Sequence, residues 1–170
     1  MQTQVILDET GTLGPEGPDV SKIGFGCMGL TGVYDAAPER VAGITLIRDA
    51  YDLGVMFFDI AEAYGLWTNE EIVGAVLAPL RHHVGIATKF GFDIDPVTAA
   101  CSGGVNSQPA QISWVAEAAL KRLKSDHIEQ FYQRRVDPAV PIEDVAGMVR
   151  DLIAEGKVVL HPAEPGGGIA

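Results

Sequence analysis

Three side chains able to move a proton follow two successive apolar runs in this chain. Residues 55–58, Val-Met-Phe-Phe, lead into Asp59 and Tyr64 within FFDIAEAYG, and residues 84–88, Val-Gly-Ile-Ala-Thr, lead into Lys89 within IATKFGF. A carboxylate, a phenol and an amine at consecutive strand ends point to one catalytic site on the C-terminal face of a parallel β/α barrel, where the loops after the strands gather. A phenol titrates near 10 and donates poorly at neutral pH until a nearby cation favours its ionised form. Lysine supplies such a charge, and a carboxylate holds the ammonium in place. Taken alone, the three residues also suit an ordinary Asp–Lys ion pair with a tyrosine on the rim, since structural pairs cluster charge as well.

A glycine motif competes for attention. Residues 24–29, GFGCMG, match the G-x-G-x-x-G dinucleotide fingerprint. That motif works only where the turn opens directly into a helix whose N-terminus meets the pyrophosphate. Here Leu-Thr-Gly-Val-Tyr follows, and the acidic residue about 20 positions on, Asp49, falls in mid-helix. The motif reads instead as a glycine-rich strand end that lets a ligand approach backbone.

The elements that must position these residues alternate from residue 22 onward, apolar run then helix-period segment, which is the signature of βα units. Strands are predicted at 22–28, 55–58, 84–88, 128–133 and, beginning a fifth, 158–160. The first helix opens with Pro38 at its N1 position and carries Val41, Ile44, Ile47 and Tyr51 on one face. The second spans 70–77 and stops near Pro79. The third keeps Ile112, Val115, Ala116, Ala119, Leu120 and Leu123 in register throughout. The fourth opens at Pro141, buries Val145, Met148, Val149, Leu152 and Ile153, and is capped by Gly156. Residues 92–109 read as a long Gly/Ser/Pro-rich loop. The fold class is α/β: a partial (β/α)8, TIM-type barrel of four to five βα units with parallel strands.

Three segments follow. Residues 1–21 are punctuated by glycine and proline and read as a hairpin-like segment plugging the barrel floor; 22–160 form the partial barrel. Residues 161–170, HPAEPGGGIA, read as a disordered tail, because proline cannot donate to a central ladder and glycine weakens one. The chain stops at Ala170, where such a barrel is about half built, which suggests truncation.

Composition narrows the function classes. At 170 residues the length suits one domain, and 47% hydrophobic with 21% charged residues excludes a disordered chain. A formal charge of −11 leaves no basic stripe for a nucleic-acid backbone. No apolar run approaches the roughly 20 residues needed to cross a bilayer, and the first ten residues lack a signal peptide's basic and apolar regions. Cys27 and Cys101 form neither a disulfide framework nor a metal-ligand pattern, so a cytoplasmic setting without a metal is expected. His82 and His83 are expected in solvent, and His127 lacks a partner histidine. Trp67 and Tyr34 fall on loops after strands, as pocket or as rim packing. Arg134-Arg135 admits an anion site, although a loop with one substituted position is the simpler reading.

The segments GFGCMGL, LGVMFFDIAEAYG, NEEIVG, IATKFGF, YQRRVDP and PIEDVAG together resemble the aldo-keto reductase family, in that family's order, over about residues 22–159. The resemblance implies a β/α-barrel oxidoreductase that passes hydride from NADPH to a small aldehyde or ketone. It implies Tyr64 as general acid, Lys89 beside it and Asp59 paired with that lysine; Cys27, Met28 and Asp59 match positions near the cofactor. Arg134 matches the position of the family's catalytic histidine. Neutral imidazole can donate one hydrogen bond to a carbonyl, whereas guanidinium is larger and permanently charged. Two cations around one phenol favour phenolate, which has no proton to give. Ile60 replaces a small hydroxyl residue, and the later strands that carry most NADPH contacts are missing. The expectation is therefore a reductase homologue with weak NADPH binding and impaired activity. The alternatives are a catalytically silent remnant or a half-barrel module that self-associates.

Overall fold

In a computed structural model, residues 9–13, 17–32 and 39–159 are described; Tyr34, Pro38 and the segment 161–170 lie outside them. An antiparallel pair, β1 (Thr10–Thr12) and β2 (Asp19–Ser21), comes first. It sits at the floor of the sheet, where Ser21 Oγ accepts the backbone N–H of Met56 at 2.8 Å.

The first sheet strand, β3, spans only Phe25–Gly26, shorter than the run predicted for it. Cys27–Thr31 winds at once into a 3-10 helix, because a run with glycine at alternate positions has few side chains to pack as a strand. Helix α1 is Arg40–Asp52. Its buried stripe is Gly43, Ile47 and Ala50, with Ile44 and Tyr51 half-covered. Val41, expected on that face, is 71% exposed, since it lies about 200° round the helix from Gly43. Gly54, at φ 96°, turns the chain out of the helix region.

Strand β4 (Phe57–Asp59) leads through a loop into α2 (Thr68–Leu77). Proline does not stop the chain there: Ala78–His83 continues as a 3-10 helix with proline in its first turn, where a missing N–H costs nothing. Strand β5 (Gly85–Phe90) is buried along its whole length, as a central parallel strand should be.

The predicted loop at 92–109 holds a hairpin instead, β6 (Phe92–Ile94) with β7 (Cys101–Val105). Its turn is closed by Asp95, whose Oδ1 accepts the N–H groups of Val97 and Thr98. Glycine- and serine-rich composition hides a strand whose stability comes from its partner. Helix α3 (Pro109–Leu123) buries all six residues that its periodicity singled out. Then come β8 (Gln130–Gln133) and α4 (Ile142–Ala154), the latter preceded by Pro141 and followed by Gly156 at φ 74°. The fifth strand is present as a single parallel bridge, Ile128 to Val158.

The four barrel strands run β3-β4-β5-β8, all parallel and in chain order, with helices packed against one another outside them. The sheet is open: it is a partial barrel and does not close. Gly74 on α2 sets the tightest helix contact, because a Cβ there would lie 2.2 Å from the carbonyl oxygen of Arg122 on α3.

Candidate active site

The strand register does the positioning. Asp59 closes β4, and Lys89 stands opposite Tyr132 in the β5–β8 pair. Arg134 follows β8 immediately, its N–H bonded to the carbonyl of Phe90 at 2.9 Å. Side chains alternate along a strand, so Tyr132 and Arg134 share a face. Tyr64 arrives from the β4–α2 loop.

Lys89 is the hub. Its ammonium donates to Asp59 Oδ1 and, at 2.7 Å, to the carbonyl of Ile60. It also lies over the rings of Tyr64 and Tyr132, 5.2 and 5.0 Å from their centroids. The side chain of Lys89 is nearly buried while that of Asp59 is 36% exposed, so the pair opens to solvent on the carboxylate side. The Ile60 side chain is fully buried, and its carbonyl alone serves the site.

Tyr64 is buried, and Arg134 Nη1 donates to its phenol oxygen at 3.1 Å. The guanidinium also packs on the rings of Tyr64 and Phe92. The four residues singled out in the sequence, Asp59, Tyr64, Lys89 and Arg134, thus lie together. Tyr132 was not singled out. Its hydroxyl donates to Asp59 Oδ2, completing the carboxylate's coordination. Burial, then the hydrogen bond and charge of Asp59, push that phenol well above its ordinary range. The missed signal was the period-two spacing to Arg134.

Cys27 and Met28 differ. Met28 is half-buried, whereas Cys27 is fully buried with its Sγ 3.8 Å from the Phe25 carbonyl, and burial pushes its thiol upward. Its side chain is packed in the core, where the charges of Asp59 and Lys89 still reach the thiol.

A second polar cluster lies behind the Tyr64 loop. Glu70 is buried, accepting from Thr88 Oγ1 at 2.8 Å and from Arg122 Nε at 2.6 Å. Glu62 is 1% exposed, and neither of its carboxylate oxygens has a hydrogen-bond partner among the described residues. Burial, with the charge of Glu70 adding to it against Arg122, pushes Glu62 up to about 8. The loop itself is bent: Gly65, Leu66 and Trp67 all have positive φ, at 58°, 44° and 77°. Positive φ is unfavourable for bulky residues. Trp67 is held by Trp114, ring centroids 6.0 Å apart, and by Arg122 over its face. Trp67 is therefore packing.

His82, His83 and His127 lie on the opposite, floor side. His82 and His83 are exposed. His127 has carboxylate partners, Asp126 at 2.6 Å and Glu129 at 3.0 Å. Among the described residues no helix is long and apolar enough to cross a membrane.

An open parallel β/α sheet with Asp59, Lys89, Tyr132 and Arg134 gathered at its C-terminal strand ends defines a partial β/α-barrel protein. Residues 22–160 match the model of the Aldo/keto reductase family. The chain belongs to that family. It is 42% identical to probable aldo-keto reductase 1 of Glycine max over 152 residues, 86% of this chain and 42% of that protein. Among solved structures, an aldo-keto reductase from Bacillus halodurans in its holo form superposes with a TM-score of 0.77 at 25% identity, over 88% of this chain and 48% of that one. Glycerol dehydrogenase from Gluconobacter oxydans gives 0.74 at 28% identity, over 88% and 46%. The chain spans less than half the length of each of these relatives.

Proposed function

We propose that these residues form the proton-donating side of a site that reduces aldehydes or ketones with NADPH. The observation that carries this reading is Lys89, held between Asp59 and the ring of Tyr64 at the strand ends. Tyr64 donates its proton to the carbonyl oxygen as negative charge develops there. Lys89 stabilises the charge left on the phenol, and Asp59 fixes the ammonium so that no reorganisation is needed at that moment. Tyr132 holds the second oxygen of Asp59, and so positions the pair.

NADPH, when bound, supplies the hydride. The residues fit only one end of it. Gly26 stands opposite Asp59 in the sheet, and a Cβ at Gly26 or Gly29 would meet nothing within 4 Å. With the half-buried Met28 beside them, these positions make an accessible ledge suited to a flat ring. No phosphate-binding group accompanies that ledge among the described residues, so affinity for the whole cofactor is low. Arg134 occupies the region where the family resemblance puts an imidazole, and it slows reduction of neutral carbonyls.

Fluorescence titration of the chain with NADPH tests the first point. A dissociation constant weaker than about 1 μM, or −8 kcal/mol, is expected; tighter binding overturns it. In a chimera that continues beyond residue 159 with a relative's remaining sequence, Tyr64→Phe should abolish reduction of a neutral aldehyde. Arg134→His should raise it by about 10²-fold. Unchanged rates in both variants would remove these residues from the chemistry.

A further inference from the structure

Arg134 has an unusual set of partners. One N–H donates to the Tyr64 oxygen, and aromatic rings flank the guanidinium, Tyr64 at 5.5 Å and Phe92 at 5.3 Å from its carbon. It makes no ion pair with a carboxylate among the described residues. The acids nearest in sequence or register are committed elsewhere. Asp59 is taken by Lys89 and Tyr132, Asp93 by Ser102 and Asn106, and Asp137 by the backbone N–H groups of Ser107 and Ala139. Arg135 packs on Phe92 as well, 5.7 Å from its ring, and likewise has no carboxylate partner there.

This is the reverse of the chain's overall balance. A protein of formal charge −11 places Lys89, Arg134 and Arg135 at one strand-end face, with Asp59 the only acid engaged by any of them among the described residues. Arginine carries five N–H donors in a planar fork that matches a carboxylate bidentately, and a fork held between rings is already oriented. One donor is spent on Tyr64. The remaining donors lie beside the phenol that would meet a carbonyl oxygen.

We propose that Arg134 is a specificity-determining residue that recognises a carboxylate adjacent to the reacting carbonyl, so that the site selects 2-oxo acids over neutral carbonyl compounds. The inference rests on the proposed placement of the carbonyl against Tyr64. The carbonyl accepts from the phenol while the carboxylate lies against the guanidinium, a spacing that a two-carbon oxo-acid unit supplies. The position that slows neutral carbonyls thereby selects charged ones.

The test is equilibrium binding to the 170-residue chain, with no cofactor and no turnover. Pyruvate and pyruvamide, nearly the same size and differing in charge, are titrated while the side-chain Nε–H resonances of arginine are followed by NMR. Pyruvate should bind at least 10-fold tighter than pyruvamide and shift the Arg134 resonance. Arg134→Gln should bring pyruvate down to the pyruvamide level, and Arg134→Lys, which keeps charge but loses the fork, should fall between. Backbone spectra of each variant check that it is folded. Equal affinity for the two probes, a preference that survives Arg134→Gln, or tighter binding of inorganic phosphate than of pyruvate would each overturn the proposal. Because nothing is turned over, failure here leaves the Tyr64 chemistry standing. Conversely, loss of the Tyr64→Phe effect in the chimera would leave the anion preference measurable.

Discussion

Glu62 and Glu70 share one guanidinium between them. Arg122 is bonded to Glu70, and Glu62 is left in the interior with no donor among the described residues. Its pKa rises from 4.5 to about 8, chiefly because burial penalises the charged form. The sign for stability follows from proton counts. Between about pH 4.5 and pH 8 the unfolded chain has lost this proton and the folded chain keeps it, so the unfolded state binds fewer protons and stability falls as pH rises. Above about pH 8 the contribution levels off. Burial pushes Glu70 in the same direction, and because its charge also acts on Glu62 the two acids titrate as a coupled pair. Glu62→Gln should flatten the decline by up to about 1.4 kcal/mol per pH unit across that window. Urea unfolding at several pH values measures it, and an unchanged slope would show that Glu62 is ionised in the folded protein.

Gly74 governs how closely α2 and α3 pack. A methyl group there would run into one stretch of backbone, the Arg122 oxygen at 2.2 Å and the Cα and carbonyl carbon of Leu123 at 2.6 and 2.8 Å. Backbone cannot swing aside as a side chain can, so the helices must separate. Gly74→Ala should therefore destabilise by about 1–3 kcal/mol, despite the helix-propensity gain of about 1 kcal/mol that alanine offers. A denaturation midpoint equal to or above the parent's would show that the helices yield easily. Elements of this kind were unevenly legible in the sequence. α3 could be read directly, because six buried residues at helical spacing leave little choice of face. β3 was overestimated, since an apolar run broken by glycine does not reveal where the chain leaves the sheet. The β6–β7 hairpin was missed, because Cys-Ser-Gly-Gly-Val carries no alternation of its own and pairs through backbone. In the site, Asp59, Tyr64, Lys89 and Arg134 could be picked out from strand-end position and familiar segments. Tyr132 could be put on the face of Arg134 by its spacing of two, but its place opposite Lys89 needed the register of β5 against β8. On α1 the buried face was right for Ile44, Ile47 and Tyr51 and wrong only for Val41, because packing of Gly43 and Ala50 fixes the rotation and turns Val41 outward.

At the scale of the molecule, the sheet among the described residues runs from β3 on one side to the single Ile128–Val158 bridge on the other. Strands that pair on one side only present unmatched N–H and carbonyl groups. Closing a barrel normally takes eight strands of matched tilt, and four with one bridge cannot do so. Expressed as it stands, the chain should self-associate, its mass by light scattering rising with concentration. A single monomeric species that unfolds cooperatively would show that the edges are covered. The chain-order arrangement of the strands has another consequence, in time. Each strand can pair with its successor once that successor is made. The pairs nevertheless join distant residues, Phe25 with Phe58, Phe57 with Gly85 and Ala87 with Gln130, and such parallel pairing is slow. The restraints on Tyr64 do not arrive that way: Trp114 and Arg122, which hold Trp67 in the same loop, come from α3, and the arginine on its phenol comes from beyond β8. Tyr64 and Arg134 are 70 residues apart. At about 5–20 residues per second, a ribosome needs roughly 4–14 s to make the intervening chain. Tyr64 is thus synthesised early and fixed late, and during that interval a growing chain carries β4 with an unformed site at its end.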